Sequence, residues 1–337
     1  MGVTIKDIAK LAGVSVSTVS RAMNDTFDVG ADTRKRIMQL VEEQGYRPNN
    51  MARGLVTQKL YTIGLIVPDI SNPFFSEIAV GVEKRARALG YSVIFCNSDN
   101  DPEIERESIA MLRGKMVDGL IASLSRESFA ELANIEAAGF PLVQLDRSIE
   151  STKTASVLVD NQTSGYIATK HLLELGHRRL IHFSGNHATQ SAHDRKKGFE
   201  KAVREYGLSD NEFAIFEGNF TVESGIRLFG QLLKIDNRPT AIFAASDLQA
   251  VGAIAAAFDA GVAIPEEISI IGHDDVPIAS LVRPRLTTMA QPKYKLGEIA
   301  VNLLVRRLID GSAQPPENHV LQTELVVRQS TTVPRTY

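Results

Sequence analysis

The chain has 337 residues, 44% apolar and 23% charged, with a net charge of −3 and one cysteine. That length exceeds one ordinary domain, and the balance is that of a globular chain rather than a disordered or membrane one. Cys96, alone and set in an apolar run, excludes an intramolecular disulfide and suits a reducing cytoplasm. No apolar run approaches the roughly 20 residues of a membrane span, and the first residues lack a signal-peptide pattern.

Charge is unevenly placed. Residues 1–60 carry +3 and the remainder −6, so a basic head precedes an acidic body. This asymmetry is compatible with a chain that meets nucleic acid through its head alone.

In chain order, Ile5, Ile8, Ala9 and Leu11 predict a first short helix, with Thr4 as N-cap and Asp7 in its opening turn. Gly13 permits a tight turn. Ser15 caps a second helix running to Arg21, with Val19 facing inward. A third helix starts at Asp32 or Thr33, carries Ile37, Leu40 and Val41 at helical spacing, and ends at Gly45. Pro48, in YRPNN, breaks the pattern.

From Tyr61 the texture changes. Short apolar runs (TIGLIVP, SVIFCNS, VDGLIAS, PLVQLDR, SVLVDN, RLIHFSG, TAIFAASD, ISIIGHDD) alternate with amphipathic helical stretches. Such alternation predicts βαβ units and parallel sheets covered on both faces. Strand, loop, helix and Gly succeed one another from Thr62, and the same order returns from Arg179, which predicts two doubly wound lobes with a cleft between them.

TIKDIAKLAGVSVSTVSRAMN places Ala9, Gly13 and Val19 where a helix-turn-helix needs a small contact residue, a turn former and a buried anchor. This stretch, the following YRPNNMARGL and the order of the whole chain resemble the lactose-repressor (LacI/GalR) family of transcriptional regulators. The resemblance implies an all-α helix-turn-helix head and hinge, then a two-lobed α/β domain like periplasmic binding proteins. It divides the chain into a DNA-binding domain at 1–48, a hinge at 49–60 and a sensing and dimerisation domain at 61–337. The N-lobe then takes about 61–161 with 291–320, and the C-lobe about 162–290 with 321–337.

By the same resemblance Val16, Ser17 and Arg21 read bases. Arg21 can form a bidentate pair with guanine, Val16 can meet a thymine methyl, and Ser17 can bond either way. Thr4, Ser15, Ser20 and Asn24 cap helices or touch phosphates. In the hinge the implied contacts are Asn50, Ala52, Arg53 and Leu55, the leucine wedging into a minor-groove step. So short a segment, with Gly54 inside it, is expected to fold only on operator DNA.

Ligands of open α/β sheets bind beyond the carboxyl ends of the strands. Asn72, Asp146, Arg147, Asp160, Asp247, Asp274 and Asp275 end the apolar runs there, and Phe74 and Phe75 follow the first strand. The body also resembles periplasmic ribose-binding proteins. That likeness implies an effector site of Asn72, Phe74, Phe75, Asp146, Arg147, Arg195, Phe220, Ser246, Asp274 and Gln291. Ser246 stands where the family usually has Asn, which argues against ribose itself, and His273 replaces an aromatic. Asp247 reads better as a helix N-cap, Asp160 as a residue of the crossover between lobes, Asp275 as a cap or inter-lobe contact, and Phe75 could be core.

His171, His177, His182, His187 and His193 lack metal-ligand spacing, and neither a phosphate-cradling loop nor a nucleophile–base pair is evident. The expectation is a homodimeric, cytoplasmic, non-enzymatic repressor without a cofactor. Its pseudo-palindromic operator is released or held according to a small molecule, a monosaccharide such as ribose. VRPRLTTMAQP and VRQSTT equally resemble members answering to a protein corepressor. A sugar-modifying enzyme with a DNA-binding head is the third reading.

Overall fold

A computed structural model describes residues 3–23, 29–46, 59–115, 117–149, 154–187, 189–311 and 316–335. Contacts divide the chain into two units, residues 1–60 and 61–337.

The head holds helices α1 (Ile5–Ala12), α2 (Val16–Met23) and α3 (Ala31–Glu43). Thr4 and Asp7 form a reciprocal capping box: the Asp7 N–H donates to Thr4 Oγ1 at 3.4 Å, and the Thr4 N–H to the Asp7 carboxylate at 2.9 Å. Gly13 ends α1 at φ +63°, a left-handed conformation that costs glycine little. Ser15 Oγ accepts from the Thr18 N–H at 3.1 Å and so opens α2. The third helix starts one residue earlier than predicted, after Gly30, without a side-chain cap. Ile8, Ala9, Ala12, Val19, Ala22 and Ile37 close the small core. Arg36 ties α3 back to α1 through the Ala12 carbonyl at 2.7 Å.

The body contains β1 (Thr62–Val67), α4 (Pro73–Ala88), β2 (Ser92–Asn97), α5 (Pro102–Gly114), β3 (Gly119–Ala122), α6 (Phe129–Ala137), β4 (Leu142–Leu145) and β5 (Ala155–Val159). After these come α7 (Asn161–Glu174), β6 (Leu180–Ser184), α8 (Gln190–Glu205), β7 (Phe213–Glu217), α9 (Val222–Leu232), β8 (Ala241–Ala244), α10 (Asp247–Asp259) and β9 (Ser269–Asp274). The chain closes with α11 (Pro277–Leu281), β10 (Thr287–Ala290), α12 (Lys293–Asp310), β11 (Asn318–Leu321) and β12 (Glu324–Val326).

Two six-stranded sheets result, ordered β11-β5-β4-β3-β1-β2 and β12-β10-β9-β8-β6-β7. Pairing is parallel throughout except β12 against β10. The chain passes between lobes after β5, β10 and β11. Alternation in β1 shows why its sequence is almost wholly apolar: Ile63, Leu65 and Val67 pack toward α4 and α12, while Ile66 joins Ile109 and Leu112 on the other face. Each such side chain contributes roughly 1.5–3 kcal/mol by burial. Cys96 lies in that second cluster, and burial pushes its thiol up.

In the C-lobe, α7 and α8 approach through Gly165 and Gly198. A Cβ on Gly165 would strike the backbone of Arg195, so the glycine sets where Arg195 stands. Among the described residues no helix is long and apolar enough to cross a membrane.

Candidate functional site

On α2 the buried Val19 and Ala22 face the head's core, which leaves Val16, Ser17 and Arg21 exposed on the opposite side. A helix with a short apolar side, a hydroxyl and a guanidinium presented together can enter the major groove and read base edges. Thr4 and Ser15 are engaged as caps, and Ser20 is half-buried on α2. Asn24, Asn50, Ala52, Arg53 and Leu55 lie outside the described residues.

In the body, the carboxyl ends of β1, β4, β6 and β9 converge on a cleft. Asp146 leaves β4 with φ +64°, an unusual backbone conformation for any residue but glycine or asparagine. The Asp146 N–H donates to the Val157 carbonyl at 2.9 Å, which pins this turn to β5. Asp146 and Arg147 are 6% and 8% exposed, and Arg147 Nε stands 3.8 Å from the Asp146 carboxylate. Among the described residues neither side chain makes a hydrogen bond, and Arg147 Nε is buried without a partner. Burial pushes the Asp146 carboxyl up, against the opposing pull of Arg147 and Arg195. Leaving a buried polar group unpaired costs about 1–3 kcal/mol, so a fold keeps such a pair where another molecule completes it.

Arg195, on α8, faces Asp146 from the other lobe. Its Nε donates to Asn161 Oδ1 at 2.8 Å, its Nη1 donates to the Ala245 carbonyl, and Nη1 stands 3.8 Å from Asp274. Burial lowers its guanidinium, while Asp274 and Asp146 oppose the shift. Phe74 and Phe75 meet edge to face at 4.9 Å, and Arg195 lies 5.7 Å from the Phe220 ring centre. Phe220 occupies the space a Cβ on Gly185 would need. These residues, with Asn72, Ser191 and Asp274, line a chamber of about 30 Å³. Its lining combines three phenylalanines with two aspartates and two arginines, a chemistry that suits the apolar faces and hydroxyl edges of a sugar ring.

Asp274 is held by a relay. Thr323 donates to Ser164 Oγ at 3.0 Å, and Ser164 Oγ lies 2.7 Å from His273 Nε2. His273 Nδ1 lies 3.1 Å from Asp274 Oδ1, which also accepts from Gln291 Nε2 at 2.7 Å. Burial, then Arg195, holds His273 down to about 4, so the ring is neutral: Nδ1–H donates to the carboxylate and Nε2 accepts from Ser164. This is the role of the histidine that replaces an aromatic. Lys293, opening α12, donates to the carbonyls of Asp274 and Asp275 at 2.6 and 2.8 Å and pairs with Glu77 on α4 at 3.6 Å. One N-lobe lysine therefore grips the C-lobe strand end beneath the site.

Residues 4–49 match the description "Bacterial regulatory proteins, lacI family", and residues 169–331 match "Periplasmic binding protein-like domain". Catabolite control protein A of Priestia megaterium is 39% identical over 308 residues, covering 91% of this chain and 92% of that protein. The chain belongs to the LacI family. Like others of that family it is a DNA-binding transcriptional regulator, with the helix-turn-helix head and two-sheet α/β body already described. It is similar to the lac repressor dimer bound to operator and the anti-inducer ONPF, with TM-score 0.88 and 29% identity, covering 98% of this chain and 100% of that one. It also resembles a LacI family regulator from Enterococcus faecium with bound ribose, with TM-score 0.75 and 32% identity, covering 81% of this chain and 99% of that one.

Eight of the ten expected effector residues line the small chamber: Asn72, Phe74, Phe75, Asp146, Arg147, Arg195, Phe220 and Asp274. Two do not. Ser246 is the N-cap of α10, accepting from the Gln249 N–H at 3.2 Å, and its hydroxyl donates to the Phe220 carbonyl at 3.3 Å, so it braces a residue of the chamber from behind. Gln291 donates its amide N–H to Asp274 and positions it, while its Oε1 is buried without a partner among the described residues. The cap expected at Asp247 is a further correction: Asp247 is wholly buried and accepts from the Val276 N–H at 2.9 Å and Thr288 Oγ1 at 2.5 Å. Burial, then Asp274, raises its carboxyl well above the usual range. Asp160 caps α7, and its N–H donates to Leu321 at 3.0 Å, where the chain crosses between lobes. Asp275 pairs with Arg328 at 2.6 Å. Asn161, Ser191 and Lys293 escaped sequence reasoning; nothing distinguishes them there from surface polar residues. Among the described residues no cluster could hold a metal ion.

Proposed function

We propose that this regulator is a homodimeric, cytoplasmic repressor whose operator affinity is set by a neutral sugar, one ring of which binds between Phe74, Phe75 and Phe220. The observation that carries this reading is the buried Asp146–Arg147 pair, whose side chains make no hydrogen bond among the described residues, in a chamber that also holds three phenylalanines. Vicinal hydroxyls, each both donor and acceptor, satisfy a carboxylate and a guanidinium side by side. The opposed charges favour a neutral ligand over an anion, since Asp146 and Asp274 would repel one. Self-association is supported by large apolar side chains left exposed on both lobes: Ile70, Val80 and Phe95, and Ile226, Phe258 and Leu281.

The coupling follows from the lobes. Asp146 and Arg147 belong to one lobe, Arg195 and Asp274 to the other, so a ligand touching all four fixes the lobes' relative setting. A ligand shifts such an equilibrium only by its differential affinity for the two states, and about 1–3 kcal/mol gives a 5–150-fold change in operator affinity. The test uses the full chain and a duplex it selects from a random pool, with anisotropy titrations run with and without common neutral sugars. A shift of operator affinity by a sugar that binds supports the reading. If no sugar binds and a phosphorylated carrier protein shifts affinity instead, the protein-corepressor reading replaces it.

A further inference from the structure

We propose that His273 is a coupling residue of this regulator: its ring ties Asp274, on the wall of the cleft, to the crossovers between the lobes, and so sets how the lobes rest against each other. The inference needs no particular effector. It rests on the lobes' setting governing operator affinity, as proposed above.

All three crossovers converge on residues 273–275. After β5 the chain enters α7, whose first turn carries Ser164, and Ser164 Oγ lies 2.7 Å from His273 Nε2. Between β11 and β12 stands Thr323, which donates to the same Ser164 Oγ at 3.0 Å. Between β10 and α12 stands Gln291. Its Nε2 donates to Asp274 Oδ1 at 2.7 Å and its backbone N–H to the Asp274 carbonyl at 3.3 Å. Lys293 follows, with Nζ on the carbonyls of Asp274 and Asp275. Ser164, His273, Asp274, Gln291 and Lys293 are all buried, and hydrogen bonds in such surroundings are stronger than in water.

The two ring nitrogens make the connection. Nδ1 lies 3.1 Å from Asp274 Oδ1 and carries the proton between them, since a carboxylate only accepts. Nε2 is then the acceptor for the Ser164 hydroxyl, which in turn accepts from Thr323. Every hydrogen of the chain points from the third crossover toward the cleft. A phenylalanine at 273 offers neither nitrogen and would cut this path between Asp274 and the crossovers after β5 and β11.

The backbone gives an independent sign. Asp274 and Asp275 have φ of +118° and +54°, values that residues other than glycine rarely adopt. Such strain gathers at ligand clamps and switch regions. Gln291 Oε1 is buried at the same joint without a partner among the described residues. The joint is held rather than relaxed, so a molecule that draws on Asp274 draws on all three crossovers.

The experiment measures lobe setting and operator affinity separately, on the full chain without any effector. Nitroxide labels are placed at Glu107→Cys on α5 and Lys197→Cys on α8, both exposed, in a Cys96→Ala background. Labelled chain is diluted in unlabelled chain, so that distances within one protomer are read. Thr323→Val, His273→Phe and their double variant are compared with Thr331→Val, which removes a hydroxyl 3.0 Å from His171, away from the relay. Thr323 lines neither chamber of the cleft, and valine keeps its shape, so this variant decides the matter even if His273→Phe does not fold. Thr323→Val and His273→Phe should each shift or broaden the inter-lobe distance. Each should also change affinity for the selected duplex about fivefold, as expected of one hydrogen bond. The double variant should go no further than His273→Phe alone, and Thr331→Val should leave both readouts unchanged. Distances indifferent to Thr323→Val, effects that simply add, or an equal response to Thr331→Val overturn the role of His273. Shifted distances with unchanged operator affinity uphold it and refute the coupling of lobes to operator.

Discussion

Asp146→Asn isolates the charge at the centre of the site. Asparagine keeps the shape and tolerates the φ of +64° at this position, whereas alanine would add about 1–2 kcal/mol of left-handed strain. In the ligand-free protein the carboxylate is buried and makes no hydrogen bond among the described residues. Its pKa lies above the ordinary carboxylate value because burial outweighs Arg147 and Arg195. The folded state then binds more protons than the unfolded one between those two pKa values, so stability falls as pH rises through them. At neutral pH the charge is therefore a net cost, and Asp146→Asn should leave the melting temperature unchanged or higher. Sugar binding behaves oppositely. Hydrogen bonds to a charged acceptor contribute about 1.5–3 kcal/mol each. Losing one such bond predicts about a 12–150-fold weaker sugar affinity in calorimetry. Operator affinity without sugar, measured by anisotropy, should stay within a few fold. A variant that melts several degrees lower without sugar, or that binds sugar normally, would refute the reasoning.

Three further outcomes are expected. Arg21→Ala should cost roughly 1–3 kcal/mol of operator binding and relax preference at one base pair per half-site; uniform weakening across sequences in a selection experiment would make Arg21 a phosphate contact. Leu55→Ala should reduce operator bending in a circular-permutation gel and weaken specific binding, while salt-driven non-specific binding stays; equal bending refutes the wedge. His182 is stacked 4.6 Å from Phe243, its Nε2 has no partner among the described residues, and burial holds it down to about 3. The unfolded state therefore binds its proton first, and stability falls as pH drops below about 6.5 toward 3. At pH 5 this amounts to about 2 kcal/mol, so His182→Phe should flatten urea-derived stability between pH 7 and 5 by that amount; parallel curves would exclude the effect.

Strands buried on both faces were legible because apolar residues dominate them: β3 and β8 have no polar side chain, and β1, β4 and β9 carry theirs around a core of Ile, Leu or Val. The strands that escaped notice are those whose burial is partial or whose chemistry is disguised. Edge strands β7, β11 and β12 are half-exposed throughout, so their sequences look like loops. In β10, TTMA reads as polar, yet Thr287 and Thr288 are fully buried. The Thr287 N–H donates to Ser330 Oγ at 2.8 Å and Thr288 Oγ1 to Asp247 at 2.5 Å, partners more than forty residues away. The Thr287 hydroxyl in turn accepts from the Arg328 N–H at 2.9 Å, and only the fold reveals that these polar groups are satisfied.

The same limit explains the Ser246–Asp247 reversal, and why Asn161 escaped notice beside Asp160. At a helix start, the capping side chain bends back to accept from an N–H three residues on, so it is used up at the helix end. The next residue points elsewhere. Asp160 accepts from the Thr163 N–H at 2.9 Å, so Asn161 is the residue that reaches Arg195. Ser246 accepts from the Gln249 N–H at 3.2 Å, so Asp247 turns inward to Val276 and Thr288. Both dipeptides, Asp-Asn and Ser-Asp, pair two good caps. Local sequence cannot say which one begins the helix; that is decided by where the preceding strand ends, β5 at Val159 and β8 at Ala244. The same choice fixes which side chain remains to hold Arg195, and through it the Asp146 side of the cleft.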